Sequence, residues 1–294
     1  MTQSDEELSD QRSLVPIDAA SGAASGRIPG IWRFAVRTPT LPPATHTNVY
    51  IIGEGELVVV DPASPYAEEQ AALAEALATR PEKLTAIFLT HQHLDHVSGA
   101  TVLQRATGAP IWAHAETASR LAGRITVDHL VADGDRVPAG AREIVARLTP
   151  GHAPGHLCLL DTQSRALVCG DMVASEGTIL VDADDDGDMG IYLRSLALMR
   201  TWDPRVLLPA HGPPILDADA HLARYIAHRL GREAKVVAAL GTELRTLDEL
   251  VPVAYADTSS AIWPLAKRSL KTHLRKLVDE ARAVEHDGRW ALVS

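Results

Sequence analysis

The chain has 294 residues, 46% of them hydrophobic, and a formal net charge of −10. That is enough apolar material for one large domain or two ordinary ones, and an acidic balance argues against a general affinity for nucleic acid. The two cysteines, Cys158 and Cys169, make neither a disulfide framework nor a CxxC pair, which points to a reducing compartment. With no basic-then-apolar opening segment and no apolar run of bilayer length, the expected location is the cytoplasm, with no membrane partner.

Residues 1–27 are acidic at first, then rich in Ser, Ala and Gly with little apolar periodicity, and are read as a disordered arm. From Ile31 onward short apolar strands alternate with Ala-rich helical stretches. The expected strands are 32–36, 48–52, 57–60, 84–89, 143–148, 156–160, 166–168 and 206–208, with helical periodicity over 66–79, 97–107 and 191–201. Such alternation predicts an α/β layered architecture, helices packed over sheets. Beyond Pro213-Pro214 the texture changes. A helix is expected over 217–240, a second starting at the capping box Thr246-Leu-Asp-Glu249, and a third near Pro264 with Leu270, Leu274 and Leu277 on one face. A hairpin turning at Asp287-Gly288 closes the chain. Three helices and a hairpin outline a winged helix, so the domain boundary is placed near 216, dividing 28–216 from 217–294.

The segment Thr90-His-Gln-His-Leu-Asp-His96 follows the apolar run Leu84–Leu89. Three imidazoles and a carboxylate within six positions make a poor solvated loop and a good metal site, since neutral imidazole with carboxylate suits zinc or another borderline divalent ion. Four more candidates stand at strand ends, where a sheet can aim them at one point: Asp61, His152, Asp171 and His211. Glycines at 151, 170 and 212 beside the last three suit tight turns.

In this ordered series the chain resembles the metallo-β-lactamase-fold hydrolases, in particular the glyoxalase II-like branch and its lactamase-like group with a C-terminal winged helix. The resemblance spans about residues 28–216. It implies an αββα sandwich with a dinuclear site, two zinc ions per chain, manganese and iron being the other metals that such ligands suit. By the resemblance His91, His93 and His152 bind one ion, Asp95, His96 and His211 the second, and Asp171 bridges both. Asp61 orients the loop from behind the ligands, and catalysis is expected to depend on Asp95 and Asp171. His156 is left out of the ligand set, and Cys169 is read as strand packing. Ala210 stands where the family more often has Gly.

Two such metals supply a water-derived nucleophile at neutral pH and stabilise an oxyanion, so hydrolysis is the expected reaction. A small ester, thioester or lactone is the leading substrate class. Phosphodiester or single-stranded RNA cleavage is the alternative, and β-lactam hydrolysis a side activity. Tyr192 and Ser195 are candidate pocket residues by the same resemblance. The acidic run Asp182–Asp188 reads as a loop capping the helix that starts near Ile191. From residue 221 onward 12 basic residues face 9 acidic ones, against 16 and 29 in the remainder. Lys267, Lys271 and Arg275 there share one helix face, which is read as a phosphate contact, a solvated face or a wall of the active-site cleft.

Overall fold

A computed structural model of the protein describes residues 13–19 and 26–293. The chain forms two compact units that interleave in sequence. The first comprises Met1–Thr149, Gly155–Gly177 and Asp203–Asp219, the second Pro150–Pro154, Thr178–Trp202 and Ala220–Ser294.

The first unit holds two sheets. Strands β1 (Val15–Ala19), β2 (Gly26–Arg37), β3 (His46–Ile52), β4 (Glu56–Val60), β5 (Lys83–Phe88), β6 (Ile111–Ala113) and β7 (His129–Leu130) lie side by side in chain order. The second sheet runs β12-β11-β10-β9-β8, from β8 (Arg136–Ala139), β9 (Arg142–Leu148), β10 (Leu157–Asp161), β11 (Ala166–Gly170) and β12 (Val206–Pro209). Val58 and Val60 of β4 and Ala86 and Phe88 of β5 pack with Leu157, Leu159, Val168 and Leu208 of the second sheet. Leu57, Val59, Ile87 and Leu89 face the other way. There they meet Leu73 of α1 (Ala67–Ala78), Val97 of α2 (Leu94–Val97), Leu103 of α3 (Ala100–Thr107) and Leu121 of α4 (Ala115–Leu121). Both faces of β4 and β5 are thus buried, which is why their sequences are unbroken apolar runs instead of alternating ones. The α/β layered class expected from the sequence is the one observed.

Within the stretch read as a disordered arm, Val15–Ala19 is a strand paired antiparallel with β2, and Ile17 is buried in the core between the sheets. Five residues with one core-facing side chain are too few to show periodicity, so pairing with β2 supplies what the local sequence lacks. Residues 1–12 and 20–25 of that arm lie outside the described residues. The short strands β1, β6, β7 and β8, of two to five residues, are not among those expected from the sequence.

In the second unit α5 (Met189–Thr201), α6 (Ala218–Ala239), α7 (Leu247–Ala254) and α8 (Trp263–Asp279) accompany β13 (Arg245–Thr246), β14 (Ala283–His286) and β15 (Arg289–Leu292), ordered β13-β15-β14. Thr246 caps α7 with the reciprocal Glu249 bond, as its capping box predicts. Asp287 and Gly288 turn the hairpin, both at positive φ. Leu270, Leu274 and Leu277 of α8 form its core with Val251 of α7 and Trp290 of β15. This is the expected winged-helix outline. No described helix is long and apolar enough to cross a membrane.

Candidate metal centre

The candidate ligands of the first unit follow strand ends. Asp61 leaves β4, His91 and His93 follow β5, Asp171 leaves β11 and His211 follows β12. The β4–β5 and β11–β12 pairs are parallel, so each pair delivers its carboxyl-end residues to the same edge. One ligating atom each of Asp95, His96 and His211 lies within 4.8 Å of the others, and the same holds among His91, His93 and Asp171. His91 and His96 are fully buried.

Hydrogen bonds behind these rings decide which nitrogen faces the site. The Asp61 carboxylate can only accept. Its Oδ1 takes the Thr90 N–H at 2.8 Å, and its Oδ2 takes the Thr90 hydroxyl at 2.7 Å and His96 Nδ1–H at 2.9 Å. The Thr90 hydroxyl proton being committed, its Oγ1 accepts from His91 Nδ1 at 2.9 Å. His211 Nδ1 donates to the His46 carbonyl at 3.0 Å. All three rings therefore carry a proton on Nδ1 and direct Nε2 away from these partners, the orientation that a histidine ligand requires. His91 Nε2 stands 3.0 Å from His93 Nδ1. Asp61 holds this position with a left-handed backbone, φ +51, which an L-residue adopts only when its surroundings over-determine it.

The electrostatics fit a cation. Asp171 Oδ1 lies 3.4 Å from His96 Nε2 and 3.3 Å from His211 Nε2, while Asp95 Oδ2 lies 3.7 Å from His211 Nε2. Buried His96 Nε2 makes no hydrogen bond among the described residues. Burial alone would lower the His96 pKa, but Asp171, Asp61 and Asp95 raise it well above its ordinary value. His211 is raised in the same way by Asp171. Burial likewise works against ionised Asp171, yet His211 and His96 hold its carboxyl well below the carboxylate range. Imidazoles gathered around the Asp171 and Asp95 carboxylates favour positive charge at this place, and a divalent metal would supply it while leaving the rings neutral. Cys169 is no competitor: burial pushes its thiol well above its ordinary value, far from the thiolate that a metal would need.

His152 belongs to Pro150–Pro154, in the second unit. Its Nδ1 donates to the Leu180 carbonyl at 2.9 Å, so its Nε2 too is directed away from that partner. Gly151 beside it has φ +128, and a Cβ there would collide with the Tyr192 backbone. Ser195 donates to the Pro150 carbonyl at 2.7 Å, and Tyr192 is fully buried. The two residues read as candidate pocket walls thus brace the segment carrying His152.

Several contributors escaped the sequence reading. Thr90 programs the His91 tautomer. Asn48 donates to the carbonyls of Pro209 at 2.9 Å and Gly212 at 2.7 Å, holding the His211 turn from both sides. His46 acts through its backbone carbonyl, which no sequence signal announces. Ala210 keeps φ negative, its amide donating to Gly170 and its carbonyl accepting from Asn48, so the methyl in place of the family's usual Gly is harmless.

Residues 42–211 match the model of the metallo-beta-lactamase superfamily, and residues 246–290 match that of the beta-lactamase associated winged helix domain. The chain belongs to the metallo-beta-lactamase superfamily. Lactamase-like protein vrtG of Penicillium aethiopicum is 30% identical, over 90% of this chain and 83% of its own length. An atrochrysone carboxyl ACP thioesterase of Aspergillus chevalieri is also 30% identical, over 84% of this chain and 82% of its own. In structure, a beta-lactamase domain protein from Burkholderia ambifaria superposes with a TM-score of 0.78 at 20% identity, covering 90% of this chain and 92% of that one. Membership of the superfamily, with relatives named as thioesterases, makes this protein a hydrolase.

Proposed function

We propose that the protein is a dinuclear metal hydrolase of a small thioester, ester or lactone. In this reading His91, His93 and His152 hold one ion, Asp95, His96 and His211 hold the other, and Asp171 bridges them. Zinc is the first choice for such a set, since four-coordinate imidazole and carboxylate sites suit it. The observation that carries the proposal is the shared ring orientation: Nδ1 of His91, His96, His152 and His211 each bonds an oxygen, so Nε2 is the nitrogen that each ring directs away from that partner. A pure packing role for these rings would require no such uniformity.

Bound metal would supply a water-derived nucleophile at neutral pH and polarise the scissile carbonyl. The residues do the rest. Asp61 and Thr90 orient the rings, Asp171 balances positive charge between the two sets, and Asp95 is only partly buried. The thioester class is supported by the relatives named as acyl-carrier thioesterases.

A polyanionic substrate is disfavoured by the second unit's own pairing. Lys271 bonds Asp184, Arg268 holds Asp182, Lys267 bonds Asp248, and Arg275 donates to the Ala183 carbonyl. Lys271 of the helix face read as a phosphate contact is thus paired with the acidic run and Lys267 with Asp248, while the run also caps α5 through Asp188.

The test is a panel of acyl thioesters, lactones, nitrocefin, phosphodiesters and single-stranded RNA, assayed with wild type and Asp95→Ala. Thioester or ester turnover that falls about 10³-fold in the variant is expected, the loss of several kcal/mol of transition-state stabilisation. RNA cleavage without ester turnover would overturn the substrate class. Equal rates for the two proteins would overturn the mechanism.

A further inference from the structure

We propose that His156 is a positioning residue for the metal centre, acting on the backbone of Asp171, and that Thr149 sets the tautomer it needs. The inference rests on Asp171 being the bridging ligand, and concerns residues of the first unit alone.

His156 directly precedes β10 and is fully buried. Its Nε2 accepts the backbone N–H of Asp171 at 3.1 Å. A ring nitrogen that accepts an N–H must be the unprotonated one, so the proton of the neutral ring sits on Nδ1. Nδ1 is 2.9 Å from Thr149 Oγ1, which takes that hydrogen. The Thr149 hydroxyl in turn has the His156 carbonyl at 3.4 Å and Cys158 Sγ at 3.2 Å to donate to. The direction of every proton in the chain from Thr149 through His156 to Asp171 is thereby determined, and all three residues are buried.

This also explains why His156 is no ligand. His91, His96, His152 and His211 give Nδ1 to an oxygen and direct Nε2 away from it. His156 gives Nδ1 to an oxygen in the same way, but its Nε2 is spent on an amide. The contact exists because residue 170 is glycine. Gly170 has φ +46, and a Cβ there would stand 2.5 Å from His156 Nε2 and 3.1 Å from Thr90 Oγ1. Gly170 therefore lets two supporting side chains, one serving Asp171 and one serving His91, reach the same strand end. The Asp171 carboxylate, 3.4 Å from His96 and 3.3 Å from His211, is aimed by a peptide that His156 holds at its N–H and the Ala210 amide at its carbonyl, and loss of the His156 bond would loosen the N–H end.

The test compares variants that keep or remove each hydrogen bond at nearly constant shape. His156→Gln keeps an acceptor near the Nε2 position, whereas His156→Phe keeps the ring and removes it. Thr149→Ser keeps the hydroxyl, whereas Thr149→Val removes it. Each protein is stripped of metal, checked for folding by circular dichroism and titrated with Co(II), following cobalt per chain and the visible d–d spectrum. His156→Phe and Thr149→Val are expected to bind cobalt about 10–100-fold more weakly, the usual cost of losing a group that orients a ligand, with an altered spectrum. His156→Gln and Thr149→Ser are expected to stay near wild type. Should the Phe variant fail to fold, the Val/Ser pair decides. The proposal is overturned if the folded Phe or Val variant matches wild type, or if Gln and Ser lose as much as Phe and Val. A wild-type chain that takes up no cobalt overturns the metal-site reading itself, and this inference with it.

Discussion

Two fully buried imidazoles, His96 in the first unit and His273 in the second, stand in opposite electrostatic surroundings. His96 is enclosed by the carboxylates of Asp171, Asp61 and Asp95, which overcome burial and raise its pKa. His273 has burial and the cations Arg229, Lys276 and Arg232 acting together, and they push it down to about 3. Both His273 ring nitrogens lack a hydrogen-bond partner among the described residues, yet no carboxylate joins it to form a ligand set. A buried histidine is thus no evidence of a metal site by itself. What separates the two is whether uncompensated negative charge converges on the ring.

The same contrast holds for charge in general. The second unit pairs its ions off: Glu233 with Lys276 and Arg282, Asp257 with Arg232 and Lys235, Asp182 with Arg268. The first unit also pairs Arg142 with Asp161 and Arg37 with Glu69, but it sets Asp171 beside the imidazoles of His96 and His211.

Three substitutions sharpen or break this comparison. The largest effect is expected for Asp61→Asn. An amide has one acceptor oxygen and puts an NH2 in place of the other, so it cannot accept the Thr90 N–H as well as the Thr90 hydroxyl and His96 Nδ1–H; the anchor of His96, and of His91 through Thr90, is weakened, and metal affinity should fall about 100-fold. Isothermal titration with Zn(II) measures this, and an unchanged affinity would show that Asp61 only shapes the turn. Next comes His273. Because its pKa is about 3 in the fold against 6.5 ordinarily, its contribution to stability is complete above about pH 6.5 and is lost as the pH falls toward 3. Between pH 7 and pH 5 that amounts to roughly 2 kcal/mol. Urea unfolding of wild type and His273→Leu at both pH values should show the difference in wild type and a flatter profile in the variant; parallel profiles would remove His273 from the account. The smallest effect belongs to Lys271→Ala, which removes a partly exposed pair with Asp184. It should cost about 1 kcal/mol or less of stability and leave ester turnover within about twofold, by the same measure. A large loss of turnover would mean that the basic face serves substrate after all.

How much could be read in advance follows from the range of each interaction. The cluster from His91 to His96 is contiguous, and the strand β5 before it is an apolar run, so residue chemistry and placement were visible together. Asp171 and His211 were visible because each ends such a run beside a glycine. His156 was not assigned a role, since its value lies in an amide 15 residues on that meets it across the β10–β11 pair. Tyr192 and Ser195 stand out as candidate pocket residues by resemblance alone, and only packing shows that they also hold residues 150 and 151. Strand β1 was missed because five residues carry too little pattern without the partner strand.

By itself, the sequence determined the ligand chemistry and the helix and turn signals of the second unit, for these reside in residue types a few positions apart. Tertiary structure decided the tautomers and the fate of the charged faces. His96 takes its partner from 35 residues away and His211 from 165, and Lys271 is neutralised by an aspartate 87 residues upstream. A proton's place on a ring depends on which oxygen lies beside it, and only the folded chain brings that oxygen there.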